Sequence, residues 1–512
     1  MNKIFNSVKL TKPRTNQFDL SHEKKLSFNM GELVPIYLQE IVPGDKFKVS
    51  SEMLVRLSPL IAPMMHRVNA YIHYFFVPNR LVWDNWGDFI TGGRLGTDAS
   101  VMPYILQAAG AHSDYYSQGM LWDYMGLPPV GVATNFQEDL YINALPFRAY
   151  QLIYNEYYRD QNLLAPIDIK KTDAVTTTER ALLTTLRKRA WEKDYFTSAL
   201  PWTQRGGEAM LPNDAVYKNP AIIRDGNLNT VAAGSLINTA SGQLVADQGG
   251  GADVLATVDN ITGIDISIND LRTASTLQKW LEKNALGGSR YIESILSHFG
   301  VKTPDYRLQR PEYLGGGKTP IVVSEVLNTS STATEAQGNM SGHGIGVGQS
   351  NYFKKYFSEH GFVIGIMSVL PRTAYQEGIP KFYKKFDNLD FYFPEFAHLG
   401  EQAIRNDEVF YEPGSTEAVN ATAWGYQSRY ADYKWQPDTV HGDFKSTIAY
   451  WHMGRIFGSL PALSNAFVEA DPTHRVFATT STAYDKLYVQ VYNKVKAIRP
   501  MPVFGTPGVH II

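Results

Sequence analysis

The run Leu314-Gly315-Gly316-Gly317-Lys318-Thr319 is the nearest thing in this chain to a phosphate-cradling loop. A Walker loop needs a glycine where Glu312 stands and a strand just before it, and here Arg310-Pro311-Glu312 precedes. A glycine turn leading into a strand at Ile321 is the better reading. Gly342, Gly344, Gly346 and Gly348 alternate too strictly for a dinucleotide fingerprint and read as a flexible loop. The 12 histidines show neither HExxH nor any tight metal spacing. With no cysteine, thiolate nucleophiles, disulfides and Cys-type zinc sites are excluded. No G-x-S-x-G elbow occurs. Asp and Glu are common enough to hide a glycosidase pair, but no spacing selects one. The expectation is therefore a protein without catalytic residues, metal site or cofactor.

Aromatic residues are the remaining resource for chemistry. Tyr150, Tyr154, Tyr157 and Tyr158 lie at helical spacing and are expected in a core or interface. Stacking of single-stranded bases is the alternative use, and it needs basic neighbours. Lys3, Lys9, Lys12, Arg14, Lys24 and Lys25 face only Asp19 and Glu23 over the first 30 residues. Residues 1–30 thus read as a basic arm, either simply solvated or facing a polyanion.

The elements that must carry these residues are mostly strands. Phe47, Val49, Met53, Val55 and Leu57 alternate with polar partners, as do Leu487, Val489, Val491 and Val495. Lysines on the outer face of the latter would discourage edge pairing. Tyr71–Val77 is apolar on both faces and reads as a central strand. Ile321–Leu327, Phe362–Leu370, Phe382–Phe393 and Thr447–Ile456 are further strand candidates. Helices are few. One carries Val82, Trp86, Phe89 and Ile90 and stops at Gly92-Gly93. One holds the tyrosines from 150 to 158. A pair spans Leu271–Leu281 and Ile292–Phe299, the second capped by Ser289 and stopped by Gly300 and Pro304. Strong strands at opposite ends of the chain predict long-range antiparallel pairing, as in sandwiches and jelly rolls.

Charged residues make up only 19% of the 512, below the usual quarter, while Tyr, Phe and Trp number 30, 25 and 9. So many aromatics exclude a disordered chain, and so little charge favours a surface buried in partners. The longest apolar run, Gly361–Leu370, is half of the ~20 residues a membrane span needs. No apolar signal-peptide core is read near the N-terminus. Lys and Arg are absent between Arg224 and Arg272 and again between Lys318 and Lys354. These stretches predict an insertion at 206–270, carrying Asp247, Asp253, Asp259 and Asp265, and a Gly/Ser/Thr-rich loop at 328–351.

Several long blocks resemble one family. They are Phe18–Ile90 (FDLSHEKKLSFNMGELVPIYLQEIVPGDKF and onward), Leu145–Leu163 (LPFRAYQLIYNEYYRDQNL) and Ala285–Gly317 (ALGGSRYIESILSHFG and onward). Gly361–Phe396 (GFVIGIMSVLPRTAYQEGIPKFYKKF and onward) and Ile498–Gly508 (IRPMPVFGTPG) complete the set. In these blocks the chain resembles the major capsid proteins of the Microviridae, small single-stranded-DNA bacteriophages, in their gokushovirus-like branch. The segment between Arg205 and Arg272 departs from that pattern.

The resemblance implies a mainly β fold, an eight-stranded antiparallel jelly roll with long loop insertions and a few short helices, over residues 31–512. It implies a T=1 icosahedral shell of copies of the chain around circular single-stranded DNA, assembled in the host bacterial cytoplasm. It implies scaffolding and DNA pilot proteins as partners, and no membrane insertion. On this reading the basic arm faces DNA, and the insertion at 206–270 faces outward as a threefold protrusion that meets a host-surface receptor. Trp122 and Tyr124, with Trp424, Tyr426 and Tyr430, are the expected subunit contacts, local core packing being the alternative. Net charge is −2, so the shell cannot neutralise a genome alone. A small basic DNA-binding protein, polyamines or metal cations are expected inside. Outside this family, a receptor- or carbohydrate-binding β protein and a β-scaffold glycosidase are the alternatives.

Overall fold

A computed structural model describes residues 14–107, 114–129, 138–207, 268–327, 340–350 and 352–504, with the backbone of four short strands between 223 and 256. Its frame is one antiparallel sheet of ten strands. In chain order these are β1 (Asn16–Asp19), β2 (His22–Phe28), β3 (Val34–Ile41), β4 (Lys46–Leu57) and β5 (Val68–Pro78). There follow β6 (Glu312–Leu327), β7 (Met340–Gln349), β8 (Phe353–Tyr356), β9 (Gly361–Pro371) and β10 (Leu487–Arg499). The spatial order is β1-β10-β4-β7-β6-β5-β9-β3, with β2 also on β10 and β8 also on β4. The sheet curls into a half-barrel of the jelly-roll kind.

Period-2 patterning explains the pairing. In β4 every second residue from Phe47 to Leu57 is buried, and in β10 every second residue from Leu487 to Ala497. The strands pair from Leu57↔Leu487 to Lys46↔Ile498, so the buried faces coincide. One polar knot interrupts this core. Ser51 Oγ donates to Asn493 Oδ1 at 2.6 Å, Tyr74 OH donates to Ser51 Oγ at 2.6 Å, and Asn493 Nδ2 reaches Ile36 O at 3.0 Å. With every partner satisfied, the knot fixes register instead of loosening the core.

β9 is buried throughout and β5 at every residue but His73, because both faces of this part of the sheet are covered. Inward, Ile72, Tyr74, Val363 and Met367 join the main core. Outward, Phe75, Val77, Ile364 and Ile366 pack beneath a helix over Leu145–Ile153 and its π-helical continuation Tyr154–Tyr158. Tyr150, Tyr154 and Tyr158 are buried there, as their spacing predicts. A third core, with Tyr195, Phe196, Tyr375, Ile404, Trp424 and Phe467, holds together a lobe built from loops. Residues 204–286 form a separate compact unit, containing most of a helix over Ile268–Gly287.

Several expectations are corrected. Residues 16–28 are not a free arm but the strands β1 and β2, paired along β10. With Phe353–Tyr356 they bring the sheet to ten strands. The alternating glycines form β7, because a period of two suits a strand as well as it suits a loop. Their missing side chains make room: a Cβ on Gly344 would lie 2.4 Å from Leu57 Cδ1, and one on Gly342 2.3 Å from the Ala62 carbonyl oxygen. Gly315–Gly317 likewise sit inside β6, at a bulge against β5, and form no turn. Phe382–Phe393 and most of Thr447–Ile456 are short 3-10 turns and loop. In the former, the Asp390 carboxylate accepts from the amides of Phe386 and Asp387, both at 3.0 Å, and bends the chain away from any ladder. The helix at 291–299 starts after Arg290, whose amide donates to Glu293 at 3.1 Å, while Ser289 bonds Gln161.

Candidate functional site

β10 lies between β4 and the N-terminal strands, so its outer lysines do not guard an edge. They join a surface instead. The outward residues of β4 run Lys46, Lys48, Ser50, Glu52, Leu54 and Arg56, with the lysines at one end, and those of β10 include Lys494, Lys496 and Ile498 at the same end. β8 adds Lys354 and Tyr356, and Tyr352 lies just before it. The register puts Lys354 opposite Lys48, and Lys48 opposite Lys496. Three like charges therefore stand in one row across three strands. Lys48 Nζ lies 4.8 Å from the Tyr352 ring and Lys46 Nζ 6.0 Å from the Tyr356 ring. A cleft of about 380 Å³ opens between Lys48, Gln349, Tyr352, Lys494 and Lys496. Asp19, opposite Lys496, closes the row, and its carboxylate turns to the Ser21 amide at 3.0 Å.

A second surface belongs to the loop lobe. A cavity of about 620 Å³ is lined by Tyr195, Phe382, Phe391, Tyr433 and Trp435. Two ion pairs brace its wall, Lys381–Glu408 at 3.1 Å and Lys385–Asp432 at 2.6 Å, and Lys385 Nζ lies 3.8 Å from the Tyr433 ring centre. Burial pushes the Tyr195 hydroxyl far above its usual range, and it donates to Glu408 Oε2 at 2.9 Å. Phe382 and Phe391 at the cavity, with Tyr383, Phe386 and Tyr392 nearby in sequence, are all more than half exposed, Phe386 at 86%.

The expected site residues are dispersed. Lys3, Lys9 and Lys12 lie outside the described residues, as do Asp247, Asp253, Asp259 and Asp265. Arg14 and Lys25 are exposed, Lys25 beside Glu23 at 3.4 Å. Lys24 turns inward. Its ammonium donates to the carbonyls of Pro35, at 2.8 Å, and Tyr124, and burial lowers its pKa to about 8. It anchors β2 and does not face solvent with Lys25. Trp122, Tyr124, Trp424 and Tyr430 are buried inside the chain itself, and Tyr426 is partly covered. Trp122 Nε1 donates to Pro128 O at 3.0 Å and Trp424 Nε1 to Pro461 O at 2.6 Å. Trp122, Tyr124, Trp424 and Tyr430 thus belong to local core packing. The lysine row escaped the sequence reading because it joins residues from 46 to 496; its only local sign is lysine at every second position of two strands.

His73 donates or accepts at the Tyr158 hydroxyl, 2.8 Å away, and burial lowers its pKa to about 4. Among the described residues no group of three or more His, Asp or Glu can hold a metal ion, and no helix is long and apolar enough to cross a membrane.

Residues 6–509 match the family described as Capsid protein (F protein). The chain belongs to that phage capsid family. It is 34% identical over 594 residues to capsid protein VP1 of Chlamydia phage 1, covering 100% of this chain and 98% of that one. It is 34% identical over 520 residues to capsid protein VP1 of Bdellovibrio phage phiMH2K, covering 96% and 95%. A third relative, capsid protein VP1 of Spiroplasma virus 4, is 31% identical over 545 residues, covering 98% and 96%. All three phages are Microviridae. The function of the chain is that of a major capsid protein, and its place is the virion. A capsid protein works through surfaces, and the lysine row and the aromatic lobe are two exposed ones that its topology builds.

Proposed function

We propose that the chain assembles, without enzymatic activity, into a closed T=1 icosahedral shell around circular single-stranded DNA in the host bacterial cytoplasm. The full-length family match carries this reading. The exposed aromatics of the loop lobe support it, because so many large apolar side chains on one segment mark a protein contact. On this reading Phe382, Tyr383 and Phe386 meet a neighbouring copy, and contacts of this head-to-tail kind close by rotation into a shell. Tyr426 is the expected contact residue that keeps exposed surface. The N-terminal Lys3, Lys9, Lys12 and Arg14, with Lys25, face the DNA. Scaffolding and DNA pilot proteins and a small basic protein accompany assembly. The insertion at 206–270, with its aspartates, faces outward to a receptor.

Electron microscopy and sedimentation of the purified chain test the core of this proposal. Uniform closed shells are expected. Phe386→Ser with Phe382→Ser should leave the subunit's melting temperature unchanged and lower shell yield. A stable monomer with affinity for sugars would decide for a carbohydrate-binding β protein instead.

A further inference from the structure

We propose that the outer face of β4, β8 and β10 is a track for single-stranded DNA. Lys46, Lys48, Lys354, Lys494 and Lys496 hold the phosphates, and Tyr352 and Tyr356 stack the bases. The inference rests on the capsid reading and deepens it by assigning the surface that turns to the genome.

Three observations carry it. First, Lys354, Lys48 and Lys496 stand directly opposite one another across adjacent strands. Like charges in that position oppose folding. None of the five lysines has a carboxylate within ion-pair distance among the described residues, whereas Lys355, on the other face of β8, pairs with Glu312. A row that costs the fold something has its use in an anion brought from outside. Second, the ordinary reason for lysines on a strand, protection of an open edge, does not apply to β10, which is paired on both sides. Third, the charges are interleaved with exposed rings: Tyr352 is 64% and Tyr356 56% exposed, each under a lysine ammonium. A basic groove with aromatic platforms binds single strands with little regard to sequence, since every base has a face to stack and every linkage a phosphate. The cleft between Lys48, Tyr352 and Lys494 gives a splayed base somewhere to sit.

The test uses the full chain and a mixed-sequence 40-nucleotide single strand, followed by fluorescence anisotropy across a salt series. Replacing the five lysines by Gln should weaken binding by about tenfold or more at moderate salt. It should also flatten the salt slope by about 0.7 for each lysine that held a phosphate. Tyr352→Ala with Tyr356→Ala should leave the slope and erase the preference for single-stranded over duplex DNA. Lys302→Gln with Lys170→Gln, on exposed lysines elsewhere, should change neither. Unchanged affinity and slope in the five-lysine variant overturns the proposal. So does unchanged DNA binding together with failed shell assembly, which would make the face a subunit contact. Shell formation, scored by microscopy on the same samples, separates the two readings. DNA-poor shells from the variant support both. Wild-type chains that bind DNA through these lysines and never form shells keep the track and remove the capsid proposal.

Discussion

Lys48 stands directly opposite Lys496, with Lys354 on its other side and no carboxylate between them. Cross-strand like charges cost a few tenths to about 1 kcal/mol. Lys48→Gln is therefore expected to stabilise the isolated subunit by about 0.5 kcal/mol while weakening its hold on DNA. Urea unfolding at low and high salt checks this. The gain should shrink as salt screens the row, and a loss of stability at low salt would contradict it.

Arg148 and Glu179 form an ion pair at 3.0 Å with 0% and 4% of their side chains exposed. Burial lowers the Arg148 pKa, opposed by Glu179, and burial raises that of Glu179, opposed by Arg148. Arg148 also donates to Thr172 O at 2.9 Å, tying the helix over Leu145–Ile153 to the segment before Glu179. Glu179→Ala strands the guanidinium and should cost about 3–5 kcal/mol. Arg148→Met with Glu179→Met should cost less than the two single changes summed. Additive costs in that cycle would deny the coupling.

Glu32 lies in the turn between β2 and β3, where burial, with the nearby Asp485, raises its pKa to about 7. The folded chain therefore holds a proton that the unfolded chain releases near pH 4.3. Its stabilising effect is full below about pH 4.3 and is lost as pH rises through about 7. Glu32→Gln should flatten the fall in melting temperature between pH 5 and 7.5 and add up to about 3 kcal/mol at pH 8. Lys24, lowered to about 8 by burial, acts oppositely and only above that pH. An unchanged pH profile in the Gln variant would reject the assignment.

Gly342 has no room for a methyl group, since its nearest neighbour would be a backbone oxygen at 2.3 Å. Gly342→Ala is expected to destabilise by about 1–3 kcal/mol. Gly414 meets nothing within 4 Å, and Gly414→Ala should be neutral or slightly stabilising. Thermal unfolding of the pair decides whether β7 is held by its glycine face.

β4 and β10 were legible because alternation is a local property, and β5 and β9 because a short run apolar on both faces is one too. The helix ends were legible for the same reason, with Gly92 and Gly300 in the left-handed conformation that stops a helix. Phe382–Phe393 misled because its apolar content matches a strand, while the turn that shapes it depends on the Asp390 side chain reaching back to two amides. Trp122 and Trp424 misled because an aromatic loop reads the same whether it packs inward or against a neighbour. The lysine row was out of reach of any window of sequence, since strand order alone makes Lys48 and Lys496 neighbours.

That strand order also sets a clock. β4 cannot complete its ladder until β10 has left the ribosome, ~430 residues later, which at ~5–20 residues per second is roughly 20–90 s. Throughout that interval the edge of β4 that pairs with β10 keeps its backbone N–H and C=O groups unpaired. A nascent chain therefore carries an open sheet edge until its synthesis is almost finished, and the ladder that fixes the core register is among the last to close.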